Sequence, residues 1–450
     1  MAMGRRKKER QERLFVAAAE LPKSAGHPFY RALNRLLAAA GFDGWIEKLC
    51  QPYYEQVEKR GQPSIPPGVY FRMLLVGYFE GIDSQRGIAW RCADSLAIRE
   101  FLGLALDENS PDHSTLTNTR KRLPQGVFDE MFQFVLKIAG EKGLIAGKAV
   151  GVDSTTLEAN AAMKSIVRRD TGENWKEYVA RLMKEEGEIE PEHEPTDEVI
   201  RRFDKTRKNK KVSNQEWVSS TDSASRIAQM KDGRTHLAYK AEHVVDLKSD
   251  LVLAAEIYAA DRGDTQTMVD SVLEAVVNLS EPGKASVIEE VVADKGYHAA
   301  ATLEMAEFFG FRTYIPEPKR VHALKWEDKP AEFQRCVYNN RRRVRRDKSK
   351  ALQRLRSERC ERTFAHICET GGMRRTWLRG LESVTKRYRI AAAAHNLGRI
   401  LWKLMGVGKP RALQSGGGLC SLAHFVLGIF FAMFRHPCAA LRPARFAGAA

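Results

Sequence analysis

The sequence has no Cys-x-x-Cys pair, no apolar run long enough to cross a bilayer, and no apolar stretch behind its basic first residues. Each absence removes a class of protein. Seven cysteines, Cys50, Cys92, Cys336, Cys360, Cys368, Cys420 and Cys438, are an odd and scattered set, which argues against a disulfide framework or a zinc ribbon and points to a reducing compartment. Cys360, His366 and Cys368 lack a fourth ligand at zinc spacing and read as structural side chains. Arg5-Arg6-Lys7-Lys8-Glu9-Arg10 is followed by no hydrophobic segment, so a secretory signal is not expected. The most apolar run, Leu419 to Phe434, contains His424 and is shorter than the ~20 residues of a membrane span; it reads as a packed helix. A cytoplasmic protein without membrane partners is the expectation.

What is present is positive charge. Across 450 residues, 73 Lys and Arg face 57 Asp and Glu, a formal net charge of +16, and such an excess favours a polyanionic partner because phosphate binding releases counterions. With 43% hydrophobic residues the chain can bury a sizeable core, and its length suggests two or three domains.

From Pro28 to Gly147 apolar residues recur at three- and four-residue spacing, in Tyr30 to Ala40 and Val69 to Phe79 for example, with Gly41, Pro63, Pro66 and Pro67 as punctuation. This predicts an all-α region. Two short helices, Ser84 to Asp94 and Leu96 to Leu102, precede a third, Thr115 to Leu123, that ends in Arg120, Lys121 and Arg122. The order resembles a helix-turn-helix whose last helix meets a DNA groove, although basic residues at a helix C-terminus also suit its dipole. From Lys148 the pattern changes to strands. Some eighty charge-dominated residues after Asp153, with Pro191 and Pro195 among them, read as an insertion of solvated helices or mobile segments. Leu237 to Asp246 and Leu251 to Ala259 predict a hairpin, Thr265 to Asn278 a helix, Ile288 to Ala293 a strand, Ala299 to Phe309 a helix and Phe311 to Ile315 a strand. The expected fold class is α/β, a ribonuclease H-like mixed sheet flanked by helices, with an all-α N-terminal domain and a charged helical insertion after the first strand. A last helix is expected over Ile390 to Met405.

Two of these strands end in a carboxylate followed by small residues: Val150-Gly151-Val152-Asp153-Ser154 and Val291-Val292-Ala293-Asp294-Lys295-Gly296. A third acid, Glu361, lies among the basic residues Arg341, Arg342, Arg343, Arg345, Arg346, Arg354, Arg356 and Arg359, whose density suggests a face for phosphates. Three acids brought together by folding would suit two divalent ions about 3.5–4 Å apart acting on a phosphodiester, and carboxylate oxygens are the ligands magnesium or manganese prefers. Each acid has a plainer reading: the aspartates as turn caps, and Glu361 as a counter-charge for Arg359 or Arg362, with Glu358 and Glu369 as rivals.

Taken together the segments resemble one family. Gly151-Val152-Asp153-Ser154-Thr155-Thr156, with Arg168-Arg169-Asp170-Thr171-Gly172-Glu173 behind it, looks like the first acidic segment of bacterial insertion-sequence DDE transposases. Tyr239 to Asp246 and Asp294-Lys295-Gly296-Tyr297-His298 resemble their central strands. Glu361-Arg362-Thr363-Phe364-Ala365-His366, Leu378-Arg379-Gly380-Leu381-Glu382 and His395-Asn396-Leu397 resemble the segment of the last acid. Ser64 to Arg72 and Asp112 to Leu116 resemble the helical N-terminal domain.

The resemblance implies a ribonuclease H-like catalytic domain, with Asp153, Asp294 and Glu361 as catalytic residues and metal ligands. It further implies dependence on Mg²⁺, with Mn²⁺ able to substitute and two ions expected, cleavage at the element's ends, and attack of the freed 3′-hydroxyl on target DNA. Partners would be double-stranded DNA, as terminal inverted repeats and target, and a second copy of the chain as a homodimer on DNA. The corresponding map is a helical DNA-binding domain over 1–146, a catalytic domain over 147–405 with its insertion at about 160–235, and a tail over 406–450. DNA contacts are expected from Arg120, Lys121, Arg122, Arg341, Arg342, Arg343, Arg345, Arg346, Arg354 and Arg356. Where many members carry Tyr, Arg and Lys around the last Glu, this chain has Arg354, Ser357 and Cys368, which removes one expected contact to the DNA end. A catalytically inactive transposase-derived DNA-binding protein, and a ribonuclease H-like nuclease without strand transfer, are the competing readings.

Overall fold

The computed structural model describes residues 26–54, 64–190, 192–208, 212–230, 233–280, 288–319 and 326–410. The basic N-terminal run, Pro191, and the apolar run with most of the expected 406–450 tail lie outside the described residues. No helix among the described residues is long and apolar enough to cross a membrane.

Seven helices come first: α1 (Pro28–Ala39), α2 (Phe42–Cys50), α3 (Pro67–Glu80), α4 (Gln85–Asp94), α5 (Leu96–Leu102), α6 (His113–Arg122) and α7 (Gln125–Glu141). Their ends follow from local chemistry. Ser84, Ser95 and Asp112 accept hydrogen bonds from the first-turn amides of α4, α5 and α6, the usual use of short oxygen-bearing side chains at an N-cap. Gly81 and Gly103 close α3 and α5 in the left-handed conformation that only glycine adopts cheaply. Phe29, Phe42, Phe71, Phe101 and Phe128 are buried between these helices.

A six-stranded sheet follows, built from β1 (Ala149–Glu158), β4 (Arg226–Gln229), β5 (Thr235–Asp246), β6 (Val252–Ala259), β7 (Glu290–Val292) and β8 (Arg312–Tyr314). β5 is antiparallel to β1 on one side and to β6 and β4, end to end, on the other; β1, β7 and β8 are mutually parallel. The β6-β5-β1-β7-β8 order, with an antiparallel meander leading into parallel strands, is the mixed sheet of a ribonuclease H-like fold. Helices α10 (Asp264–Leu279) and α11 (Ala300–Phe308) follow β6 and β7, and α11 supplies the crossover that parallel strands require. α12 (Ala331–Val344) packs at β8, and α13 (Asp347–Phe364) and α14 (Leu381–Met405) cover the face opposite α10.

The segment between β1 and β4 is more ordered than its charge suggested. A two-stranded ribbon, β2 (Ile166–Arg168) with β3 (Trp217–Ser219), carries helices α8 (Trp175–Glu185) and α9 (Asp197–Thr206). Val179, Met183 and Ile200 form their own buried cluster, and the capping box of Asn174 and Glu177 starts α8. Few apolar residues suffice because the remainder is tied by ion pairs such as Arg181–Glu173 and Lys176–Asp197.

The helical region and the sheet share one continuous hydrophobic core. α7 lies against α14, and the buried guanidinium of Arg389 on α14 reaches Asp129 of α7 at 2.7 Å and both Glu256, at 2.7 Å, and the Ala255 carbonyl of β6. α14 begins nine residues before the expected Ile390, since Lys386, Arg387 and Arg389 mask its apolar period, although Lys386 and Arg389 are buried and Arg387 is half-buried.

His243, on β5, sits wholly inside this core, stacked on Phe364 with ring centroids 3.9 Å apart. The Thr363 hydroxyl donates to the Cys360 carbonyl, so it accepts from His243 Nδ1–H at 2.9 Å, and Nε2 accepts from the Tyr388 hydroxyl at 2.8 Å. Burial holds the ring neutral and pushes its pKa down to about 3. A depressed histidine pKa means that the unfolded chain, with an ordinary value near 6.5, takes up a proton that the fold refuses. Stability contributed by His243 is therefore intact above pH 6.5 and lost as pH falls from there toward 3. Denaturant titrations at pH 7.5 and 5 should show a loss on the order of 2 kcal/mol that His243→Gln reduces; an unchanged pH slope in that variant would refute the assignment.

Candidate active site

β1 does not end at Asp153. Its antiparallel pairing with β5 runs on to Glu158, whereas its parallel pairing with β7 stops at Gly151↔Val292. Asp153 thus stands mid-strand, where one neighbour falls away and opens a notch in the sheet. Asp294 lies two residues beyond Val292, as Asp153 lies two beyond Gly151, so each aspartate follows the last paired residue of its strand by the same step.

The notch faces α13. A side chain at Gly151 would collide with Leu247, Arg356 and Cys360, so the helix rests almost on the strand backbone. Three residues on successive turns fasten it. Gln353 donates to the Ala293 and Tyr314 carbonyls at 3.0 and 2.6 Å. Arg356 donates Nε to the Val152 carbonyl at 3.1 Å and brings Nη2 within 2.7 Å of Asp153 Oδ1. Cys360 is buried, and its thiol pKa is raised by burial first and then by the carboxylates of Asp153 and Glu361. Both carboxylates therefore act on the same thiol.

Glu361 is exposed on α13 and accepts from the Ser357 hydroxyl at 3.0 Å. Its rivals are engaged elsewhere: Glu358 pairs with Arg362, and Glu369 with Arg374. Among the described residues neither Glu361 nor Asp294 has a basic partner, in a chain of net charge +16. Asp294 Oδ1 accepts from the Gly296 amide at 2.7 Å, capping the short 3₁₀ turn Lys295–Tyr297. The plainer role of a turn cap thus coexists with exposure at the notch. No group of three potential ligands is gathered tightly enough to hold a metal ion among the described residues. The donor set nonetheless fits a hard divalent cation in type, and a guanidinium already sits against Asp153.

A residue that sequence reasoning missed lies behind the aspartates. Asp264, the first residue of α10, accepts from the Ser154 hydroxyl at 2.9 Å and pairs with Lys240 at 2.7 Å. A Cβ on Gly296 would stand 3.0 Å from Asp294 Oδ1 and 3.2 Å from Asp264 Oδ2, so Asp264 and Asp294 lie on either side of that glycine. Lys240 also meets Glu242 at 3.2 Å, and Glu242, fully buried, accepts from Thr267, Ser271 and Tyr297. This network underpins both aspartate-bearing segments from the far side of the sheet. The only signal was Gly263-Asp264 ahead of an amphipathic stretch, which reads as an ordinary helix start. Asp264→Asn should lower DNA cleavage about 10- to 100-fold, as loss of an outer support does at metal sites, with DNA affinity unchanged in gel-shift titration; full cleavage would reduce Asp264 to a helix-starting residue.

The basic residues sort differently from expectation. Arg356 is 8% exposed and spent on Val152 and Asp153, because a helix that closely packed leaves its inward guanidinium no route to solvent. Arg341 pairs with Glu317, and Arg343 bonds Thr313, fastening α12 to its neighbours. Arg342, Arg345, Arg346 and Arg354 remain exposed, as do Lys121 and Arg122, whereas Arg120 turns inward. Cys368, at the position where the resemblance led to an expectation of Lys, is buried in the π-helical segment Ala365–Thr370.

The mixed sheet, with α13 resting on its central strand, is a ribonuclease H-like architecture. Residues 18–122 match the Transposase domain (DUF772), and residues 197–397 match the Transposase DDE domain. The chain belongs to the insertion-sequence DDE transposases. Members of this family act on DNA and generally use divalent metal ions. Asp294 and Glu361 fall inside the second match, while Asp153 lies between the two matched stretches. Comparison with curated proteins and with solved structures gave no match.

Proposed function

We propose that the chain binds the terminal inverted repeats of its insertion sequence and catalyses DNA cleavage and strand transfer, with Asp153, Asp294 and Glu361 as catalytic residues. The observation that carries this reading is the Gly151↔Val292 register, from which Asp153 and Asp294 each follow by two residues, with Arg356 on the helix of Glu361 reaching Asp153. Asp153, Asp294 and Glu361 would hold Mg²⁺ or Mn²⁺, as two ions, which would activate the attacking oxygen and stabilise the leaving oxygen. Arg356 orients Asp153, the Gly296 amide orients Asp294, and Ser357 holds Glu361 until a cation competes for it. The exposed Arg342, Arg345, Arg346 and Arg354, with Lys121 and Arg122, would meet phosphates.

The proposal extends to an organisation of helical DNA-binding domain over 1–146, catalytic domain over 147–405 and tail over 406–450, to a homodimer pairing two DNA ends, and to action at the nucleoid. Purified protein with Mg²⁺ should join a labelled element end to plasmid DNA. Nicking without joining would favour a nuclease, and binding without cleavage an inactive derivative. DNA affinity should fall steeply with salt; if six phosphates are neutralised, the log–log slope is about −5. A flat salt titration would contradict a phosphate-driven mode.

A further inference from the structure

Where α3, α4, α6 and α7 meet α14 and the segment 371–378, the molecule encloses a cavity of about 240 Å³. The seam around it is tight. Gly371 packs on the Tyr78 ring and Gly372, at φ +70°, lies beneath Asp83, leaving no room for a side chain at either. The cavity walls are flat and apolar, with Tyr70, Tyr78, Phe128 and Met373 inside and the half-exposed Trp377 among them.

The polar groups facing this chamber do not balance. Arg120 and Arg387 both line it; burial lowers the pKa of Arg120, and that of Arg387 is held down to about 10 by burial above all, with the charge of Arg120 adding to it. The single carboxylate is Asp83, 3.5 Å from Arg387, and among the described residues Arg120 has no acidic partner. The Tyr70 hydroxyl is fully buried with no hydrogen-bond partner. An unpaired guanidinium and an orphaned hydroxyl in an apolar chamber are costly, and a ligand with an anion and an acceptor would relieve both. A dry cavity of roughly 150 Å³ takes a benzene ring, so this one has room for one nucleobase.

The chamber also adjoins the proposed site. Its 371–378 wall is clipped to the outer half of β1: Arg374 donates to Thr155 Oγ1 at 3.1 Å, the Glu158 amide to the Arg374 carbonyl at 3.0 Å, and the Thr376 amide to the Glu158 carbonyl at 2.8 Å. Asp153 and Glu158 are five residues apart along the strand, about 17 Å or about five stacked nucleotides.

We propose that this cavity binds a single nucleotide, its base between the aromatic walls and its phosphate between Arg120 and Arg387. That chemistry is supplied either by an unstacked nucleotide of bound DNA, which rests on the function proposed above, or by a free mononucleotide, which does not. Two arms separate the sources. In the first, 2-aminopurine is moved through the first eight positions of an element-end duplex bound, without metal, to the full chain carrying Asp294→Ala. The emission of the displaced base should change at one position only, and Arg387→Gln and Arg120→Gln should each abolish that change while duplex affinity stays within about twofold. In the second, dAMP, adenosine and inorganic phosphate are titrated against protein fluorescence. A free-nucleotide site binds dAMP at least about tenfold tighter than either fragment, and loses this in both arginine variants. Either response supports the proposal, even in a chain that fails to cleave DNA. Silence in both arms, with unchanged thermal midpoints of the two variants, overturns it.

Discussion

Asp294→Ala and Asp294→Asn should both abolish DNA cleavage while leaving DNA binding nearly intact. A bound divalent ion contributes several kcal/mol of charge stabilisation in the transition state, and about 4 kcal/mol corresponds to about a thousandfold in rate, so a loss of that size is expected from a missing ligand. The pair of variants separates two roles the structure gives this carboxylate. Asn retains an oxygen to accept from the Gly296 amide and so keeps the turn, but it lacks the charge; Ala loses both. Equal inactivity in the two assigns the effect to charge. An active Asn variant beside an inactive Ala variant would make Asp294 a turn cap only, and the site assignment would fail. Affinity measured by gel shift should stay within about twofold, because an acid facing DNA contributes no favourable phosphate contact.

Asp250→Ala should be among the most destabilising single changes in the chain. Asp250 stands in the β5–β6 turn at φ +63°, wholly buried, and its carboxylate receives Arg359 and Arg362 from α13 at 2.6 and 2.7 Å and Arg399 from α14 at 2.7 Å. Removing it leaves three guanidiniums facing one another across a closed turn. Breaking a buried pair by deleting one partner costs about 3–5 kcal/mol, and Asp250→Asn, which keeps the shape, should recover little of it. Urea unfolding followed by circular dichroism checks this. A loss below about 1 kcal/mol would show that the arginines simply turn to water.

The sheet was largely legible because its signals are local. Strand-forming residues in Leu237 to Asp246 and in Leu251 to Ala259, with the polar turn Lys248-Ser249-Asp250 between, mark a hairpin whatever surrounds it. Observed bounds for β7, β8, α10 and α11 lie within two residues of those expected. Misreadings arose where a distant partner decides. β1 continues past Asp153 only because β5 is long enough to pair with it. The start of α14 was hidden by Arg387 and Arg389, whose charges are met by Asp83 and by Asp129 with Glu256, respectively. Arg356 counted as surface charge because an arginine in a basic run reads as solvated, yet Gly151 lets its helix approach β1 and absorb it. Asp264 carried too little local signal: its importance lies in Lys240, Ser154 and Gly296, none of them near it in a helical or strand period. For the candidate site, the sequence supplied residue types and spacing, while the order of contacts around each carboxylate came from the fold.

The continuous core between the first seven helices and the sheet bears on how this molecule can be divided. α7 offers Phe128 and Phe132 to the basic side chains of α14, with Lys386 and Arg389 lying over their rings, and the Arg389–Asp129 pair closes the same contact. A fragment beginning at residue 147 would expose the α7-facing side of α14 and strand a buried guanidinium, while one ending there would present an aromatic face to water. Neither half should fold alone when expressed, and the helices and the sheet should unfold in a single cooperative transition.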